Sequence, residues 1–121
     1  MNGKNTWFFA DGYLPEKVSN GPMEAHEALM LFNAWEFTTH ATIDVYFSDR
    51  EPLKGIKVEL PAERIITLRL DHPADLGGAV IPPLTQYALR ITADHPIVAQ
   101  FGRLDTTQNA MAYYVGVGFA E

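Results

Sequence analysis

The side chains able to do chemistry in this chain are few, and their spacing points to binding more than to turnover. Arg103 and Asp105 stand two residues apart, so on an extended strand they share a face. There they either close on each other as a strand-end salt bridge or jointly offer a donor and an acceptor to a ligand. Trp7, Tyr13, Ser19, Asn20 and His26 supply aromatic faces and neutral hydrogen-bonding groups, a set that suits a sugar-like polar ring better than a charged ligand. The structural alternatives are a core tryptophan and a histidine bonded to a loop carbonyl. The four histidines, His26, His40, His72 and His95, show neither HxH nor HExxH spacing. His26 and Glu27 are neighbours, but on a strand they point to opposite faces and would not share one ion. Ser19 and Ser48 lie in turns outside any GxSxG setting, and Gly77-Gly78 belongs to no phosphate-loop pattern. Asp49 and Glu51 flank Arg50 in a turn and read as solvated charges. No catalytic constellation, metal site or cofactor is expected.

The elements that must position these groups are strands. From Thr39 to Leu70 apolar residues alternate with polar ones in three runs. These are Ala41, Ile43, Val45 and Phe47; then Ile56, Val58 and Leu60; then Ile66, Leu68 and Leu70. Ser48 to Pro52 and Pro61 to Arg64 separate them with turn chemistry, which predicts a three-stranded meander with one buried face. Trp7 to Ala10 reads as the first strand, ended by Asp11-Gly12-Tyr13-Leu14-Pro15, and a long loop follows to Pro22. Tyr87 to Ala93 and Ile97 to Phe101 alternate around Asp94-His95-Pro96, which predicts a second hairpin. Met111 to Phe119 is apolar or glycine on both faces and calls for two partners, one of which could be a neighbouring subunit. Met23 to Ala34 is ambiguous. Its Glu, Ala, Leu and Met content favours helix, and the competing reading is a buried strand, Ala28 to Phe32, paired with the Thr39 strand.

At 121 residues and 47% hydrophobic content the chain fits one domain, residues 1 to 121, able to bury a core without staples. It has no cysteine, which removes disulfides, thiolate metal sites and cysteine nucleophiles together. A net charge of −6 with nine Lys and Arg disfavours a phosphate-backbone footprint, and so nucleic acid. There is no signal-like apolar core near Met1 and no 18-residue apolar run, so a soluble, cytoplasmic protein without membrane insertion is expected.

Taken in order, Trp7, Gly12-Tyr13, Pro15, Ser19-Asn20-Gly21-Pro22, His26-Glu27, Asn33-Ala34, Tyr46-Phe47-Ser48-Asp49 with Glu51-Pro52, Pro61-Ala62 with Arg64, Pro96-Ile97-Val98, Gln100 and Arg103-Leu104-Asp105 resemble the sensory rhodopsin transducer family. The resemblance implies an all-β, single-domain antiparallel β-sandwich, jelly-roll-like, assembling as a homotetramer. It resolves Met23 to Ala34 in favour of strand. It implies two non-enzymatic roles: a small-molecule-binding or sensing module for a sugar or related polar metabolite, or an adaptor that docks on a membrane photoreceptor or another signalling protein. Trp7, Tyr13, Ser19, Asn20, His26, Arg103 and Asp105 are the candidate ligand-binding residues. Arg64, in its Pro-Ala-Glu-Arg turn, is either a surface charge or an intersubunit contact, and Tyr114 is the candidate interface residue in the last apolar segment.

Overall fold

The alternating runs become strands because each offers an apolar face for burial, and the computed structural model, which describes residues 2–16, 23–108 and 110–121, is all-β and antiparallel. Its strands are β1 (Lys4–Tyr13), β2 (His26–Asn33), β3 (Thr39–Phe47), β4 (Leu53–Leu60), β5 (Arg64–Arg69), β6 (Gln86–Asp105), β7 (Ala112–Gly116) and β8 (Phe119–Ala120), with a short 3-10 turn at Pro73–Leu76. No helix among the described residues is long and apolar enough to cross a membrane. β2 is a strand despite its helix-forming residues. Leu29 and Leu31 are fully buried in it, and burial between two neighbours outweighs a propensity difference of a few tenths of a kcal/mol per residue.

The two halves of β6 organise everything else. Its first half lies between β1 and β3: Ile91 faces Trp7 on one edge and Ile43 on the other. Its second half lies between β2 and β7, where Phe101 faces Leu29 and Gly116. One sheet section therefore reads β4-β3-β6-β1-β8 and the other β5-β2-β6-β7. Inward residues keep one parity along the strand, from Tyr87, Leu89, Ile91 and Ala93 to Ile97, Ala99 and Phe101, and they feed a single core. Phe9 of the first section meets Phe101 of the second at a ring separation of 6.0 Å.

Several expectations are corrected here. The segment around Asp94-His95-Pro96 does not close a hairpin: both flanking runs belong to one strand, and each pairs with other strands instead of with the other run. The bend is real, though. Between Lys4 and Thr6 the partner on β6 moves from Ile97 to Thr92, so residues 93 to 96 bulge out of the β1 ladder. The meander is also incomplete. β3 pairs with β4, but β5 leaves β4 after Pro61-Ala62-Glu63 and joins β2. Glu63 takes a left-handed φ of 54°, and the fully buried Asn33 holds this corner by donating from Nδ2 to the carbonyls of Leu60 and Pro61 at 3.0 and 3.2 Å. Consequently β2 pairs with β5 and β6, not with β3. Asp11-Gly12-Tyr13 continues β1 rather than ending it, because a one-residue bulge between Phe9 and Gly12 absorbs the irregular sequence. Gly12 is needed there, since a Cβ would sit 2.2 Å from Cζ of Tyr87. The Met111 to Phe119 run splits into β7 and β8. β7 pairs only with β6 among the described residues and is exposed on both faces.

A straight 20-residue strand would be about 66 Å long. Yet Tyr87 and Arg103, near its two ends, bond to the same carboxylate, that of the fully buried Glu27 on β2. Glu27 thus fixes how far β6 folds back on itself. Glu27→Gln keeps the shape but removes the charge opposite Arg103, and it is expected to lower the unfolding free energy by about 3 kcal/mol in urea titration. A loss below about 0.5 kcal/mol would show that the charge does not hold the bend.

Candidate functional site

Glu27 reaches the candidate site from beneath. One oxygen, Oε1, accepts from the Tyr13 backbone N–H at 3.0 Å and from the Tyr87 hydroxyl at 2.5 Å. The other, Oε2, accepts from the same N–H at 3.2 Å and from Nε of Arg103. Burial raises the Tyr87 hydroxyl pKa well above its ordinary value, and the adjacent carboxylate raises it further, so Tyr87 stays a neutral donor. For Arg103, burial works against the charge, but the bond to Glu27 and its negative charge outweigh that and raise the guanidinium pKa. The Tyr114 ring lies over the guanidinium at 5.1 Å, a cation–π contact. Arg103 is thereby held by Glu27 and by one aromatic face, and it lines a cleft.

That cleft, about 280 Å³, is lined by Tyr13, Glu16, Leu84, Arg103, Asp105 and Thr107, with Pro15 at its edge. Three elements build it: the end of β1, the end of β6, and the segment before β6 that is tied to β1 by the Leu84 N–H donating to Leu14 O at 2.9 Å. Arg103 and Asp105 do line one cavity, but they do not pair with each other. Arg103 turns inward to Glu27, whereas Oδ1 of Asp105 accepts from the Thr107 hydroxyl at 2.6 Å and the Thr107 N–H at 2.8 Å in an Asx turn. Those bonds from Thr107 lower the Asp105 pKa, with Arg103 adding a smaller favourable charge.

His26 lies elsewhere. It lines a second, mostly apolar cavity of about 200 Å³ together with Leu14, Ala25, Asp71, Val80 and Ile81. Its Nδ1–H donates to Glu24 O at 2.8 Å, the structural use anticipated as an alternative. Trp7 is remote from Tyr13, six residues or about 20 Å along β1. Its Nε1–H donates to the carbonyls of Ile97 and Lys4 at 3.0 and 3.2 Å, and its ring stacks with Phe9 against the core. Trp7, Tyr13 and His26 therefore do not gather around one pocket. Ser19 and Asn20 lie outside the described residues. Arg64 is exposed and donates to Glu63 O at 3.1 Å.

Glu24, Asp71 and His72 form a cluster of metal-ligating type, their ligand atoms within 4.8 Å of one another. A cation already serves it: Nη2 of Arg69 donates to Asp71 at 2.7 Å and to Glu24 at 2.8 Å, while Nε donates to Asp71 at 2.9 Å. Sequence reasoning missed this cluster as well as Glu27 and Tyr87. For Glu27 a signal existed, namely a charged residue at an inward position of an otherwise apolar strand. For the Arg69 cluster the only signal was the spacing of Arg69 and Asp71 across a strand end.

Comparison with known proteins follows the same outline. The family model described as Anabaena sensory rhodopsin transducer matches residues 2–120. A solved structure described as the crystal structure of Thermotoga maritima 1070 is 33% identical, with a TM-score of 0.87 over 100% of this chain and 97% of its own. The structure of the Anabaena sensory rhodopsin transducer is 36% identical, with a TM-score of 0.69 over 82% of this chain and 96% of its own. No match is found among curated proteins.

The Arg69 cluster gives a pH test. Burial opposes ionisation of Asp71, but the hydrogen bonds and charge of Arg69 prevail and hold its carboxyl below the ordinary 3.8. A depressed folded-state pKa means stability that is fully present above the unfolded-state value and lost as pH falls through the folded one. Asp71→Asn should therefore cost about 1–3 kcal/mol at pH 7. The gap to the unsubstituted protein should narrow as pH drops below 3.8 in thermal melts. A gap that stays constant down to acid pH would refute the assignment.

Proposed function

The chain belongs to the Anabaena sensory rhodopsin transducer family, and on that premise we propose that it is a non-enzymatic sensing module that binds a small polar metabolite in the cleft between Tyr13, Arg103 and Asp105. The observation that carries this reading is the anchoring of Arg103. A buried carboxylate, a buried tyrosine hydroxyl and an aromatic face fix one cationic side chain at the wall of a small concave site. Such convergence of preorganised polar groups on a small hollow that also has apolar walls is how ligand sites are built. At about 280 Å³ the cleft suits a ligand of monosaccharide size, smaller than a nucleotide or a drug-like molecule. The wider reading keeps the jelly-roll-like sandwich, a homotetramer and a cytoplasmic location.

A second reading rests on a separate observation. Residues 110 to 120 contain no charge, and Tyr113, Val117 and Phe119 are 64%, 96% and 66% exposed. An apolar strip of this kind marks an interface. Self-association, with Tyr114 at its edge, would cover it, and so would docking on a sensory rhodopsin, the partner named for the Anabaena protein. Light scattering is expected to show a tetramer that Tyr114→Glu dissociates, and a 13.5 kDa particle would remove that assembly.

Ligand binding is tested by thermal melts against a panel of sugars, sugar acids and amino acids. A ligand at 100 times its Kd stabilises by about 2.7 kcal/mol, which raises Tm by several degrees in a domain of this size. If no panel member shifts Tm and the chain instead binds a sensory rhodopsin in nanodiscs, the adaptor reading replaces the sensing one.

A further inference from the structure

The cleft carries both signs of charge, and their arrangement selects a ligand within the size class just proposed. Arg103 is tied through Nε to Glu27, its only carboxylate partner among the described residues, so that ion pair is already neutral. Arg103 itself lines the cleft, its Nε is the atom bonded to Glu27, and the Tyr114 hydroxyl interacts with its guanidinium. A planar guanidinium fork of this kind matches a carboxylate. The same cleft is lined by two more carboxylates, Asp105 and Glu16, neither of which makes a salt bridge to a described residue: Asp105 takes its hydrogen bonds from Thr107, and it is partly buried. A simple anion would meet a wall that is negative on balance among the described residues, and a neutral sugar would leave the Arg103 fork unmatched. A simple amine would satisfy only Asp105 and Glu16. The remaining walls, Leu84, Pro15 and the Tyr13 ring, are apolar.

The geometry points to a zwitterion: a free α-amino acid, its carboxylate on the Arg103 fork, its ammonium at Asp105 and Glu16, and an apolar side chain against Leu84 and Tyr13. This rests on the sensing reading and narrows it. Amino-acid recognition then depends on Glu27, which touches no ligand but fixes the orientation of the fork.

The test uses the full chain in isothermal titration with four probes: L-leucine, isopentylamine, which lacks the carboxylate, 4-methylpentanoate, which lacks the ammonium, and glucose. Leucine should bind at least tenfold more tightly than either half-ligand. Asp105→Asn, which leaves Glu16 in place, should narrow the difference between leucine and 4-methylpentanoate severalfold, and an unchanged difference would overturn the inference. Arg103→Lys, which keeps the cation facing Glu27 but removes the fork, should erase the difference between leucine and isopentylamine. Asp105 is only partly buried and stands outside the Glu27 network, so its variant reports even if Arg103→Lys unfolds. Half-ligands that bind as tightly as leucine overturn the inference. Glucose binding without leucine binding overturns it too, and leaves the sensing reading intact. Silence from all four probes and from the wider panel removes both.

Discussion

The carboxylate of Glu27 is the constraint on which the rest depends. It sits at an inward position of β2, where an unpaired charge would cost several kcal/mol, and it is made tolerable by partners drawn from three separate parts of the chain. Those partners are the backbone of Tyr13 at the end of β1, the hydroxyl of Tyr87 at the start of β6, and the guanidinium of Arg103 near its end. Each lies at least 14 residues from Glu27 in sequence, so the network forms only when both sheet sections have closed. An apolar residue would fill the same volume more cheaply, but it would not define where two ends of one strand must stop.

This explains why the cleft lies where it does. The carboxylate that ends the bend of β6 also turns Arg103 and Tyr13 toward a common hollow, so fold and site share one anchor. At the opposite end Asn33 plays the matching part, with its amide spread over the carbonyls of Phe37, Leu60 and Pro61 and its oxygen accepting from the Trp35 N–H at 2.9 Å. Two buried polar side chains on one strand, six residues apart, thus hold the two ends of the molecule.

The strands themselves were legible in the sequence because alternation is a local signal. Ala41, Ile43 and Val45, or Ile56, Val58 and Leu60, announce their buried face without reference to any partner. Pairing is not local, and there the reading failed. Nothing within five residues of Arg64 says that β5 joins β2 instead of β4, and Asp94-His95-Pro96 looks the same whether it closes a hairpin or bends a single strand. The candidate site was legible in part for the same reason. Arg103 and Asp105 could be placed on one face by their spacing, but the partner that turns Arg103 away from Asp105 lies 76 residues upstream. Trp7 and His26 have the right chemistry for a pocket, and only the three-dimensional arrangement shows that backbone carbonyls engage both.

Because β6 belongs to both sheet sections, the order in which the chain leaves the ribosome matters. β3 and β4 are joined by a short turn and can pair at once, whereas β1 has β6 and β8 as its partners and β2 has β5 and β6. Lys4 must wait for Ile97, and His26 for Leu104. Until about residue 105 has emerged, β1 presents open backbone edges and an apolar face with nothing to cover it, and such edges are where nascent chains associate wrongly. Loop closure over these distances also slows folding relative to a meander of equal length. In a fold stitched by one late strand, the position of β6 sets how long the earlier strands wait with their edges open.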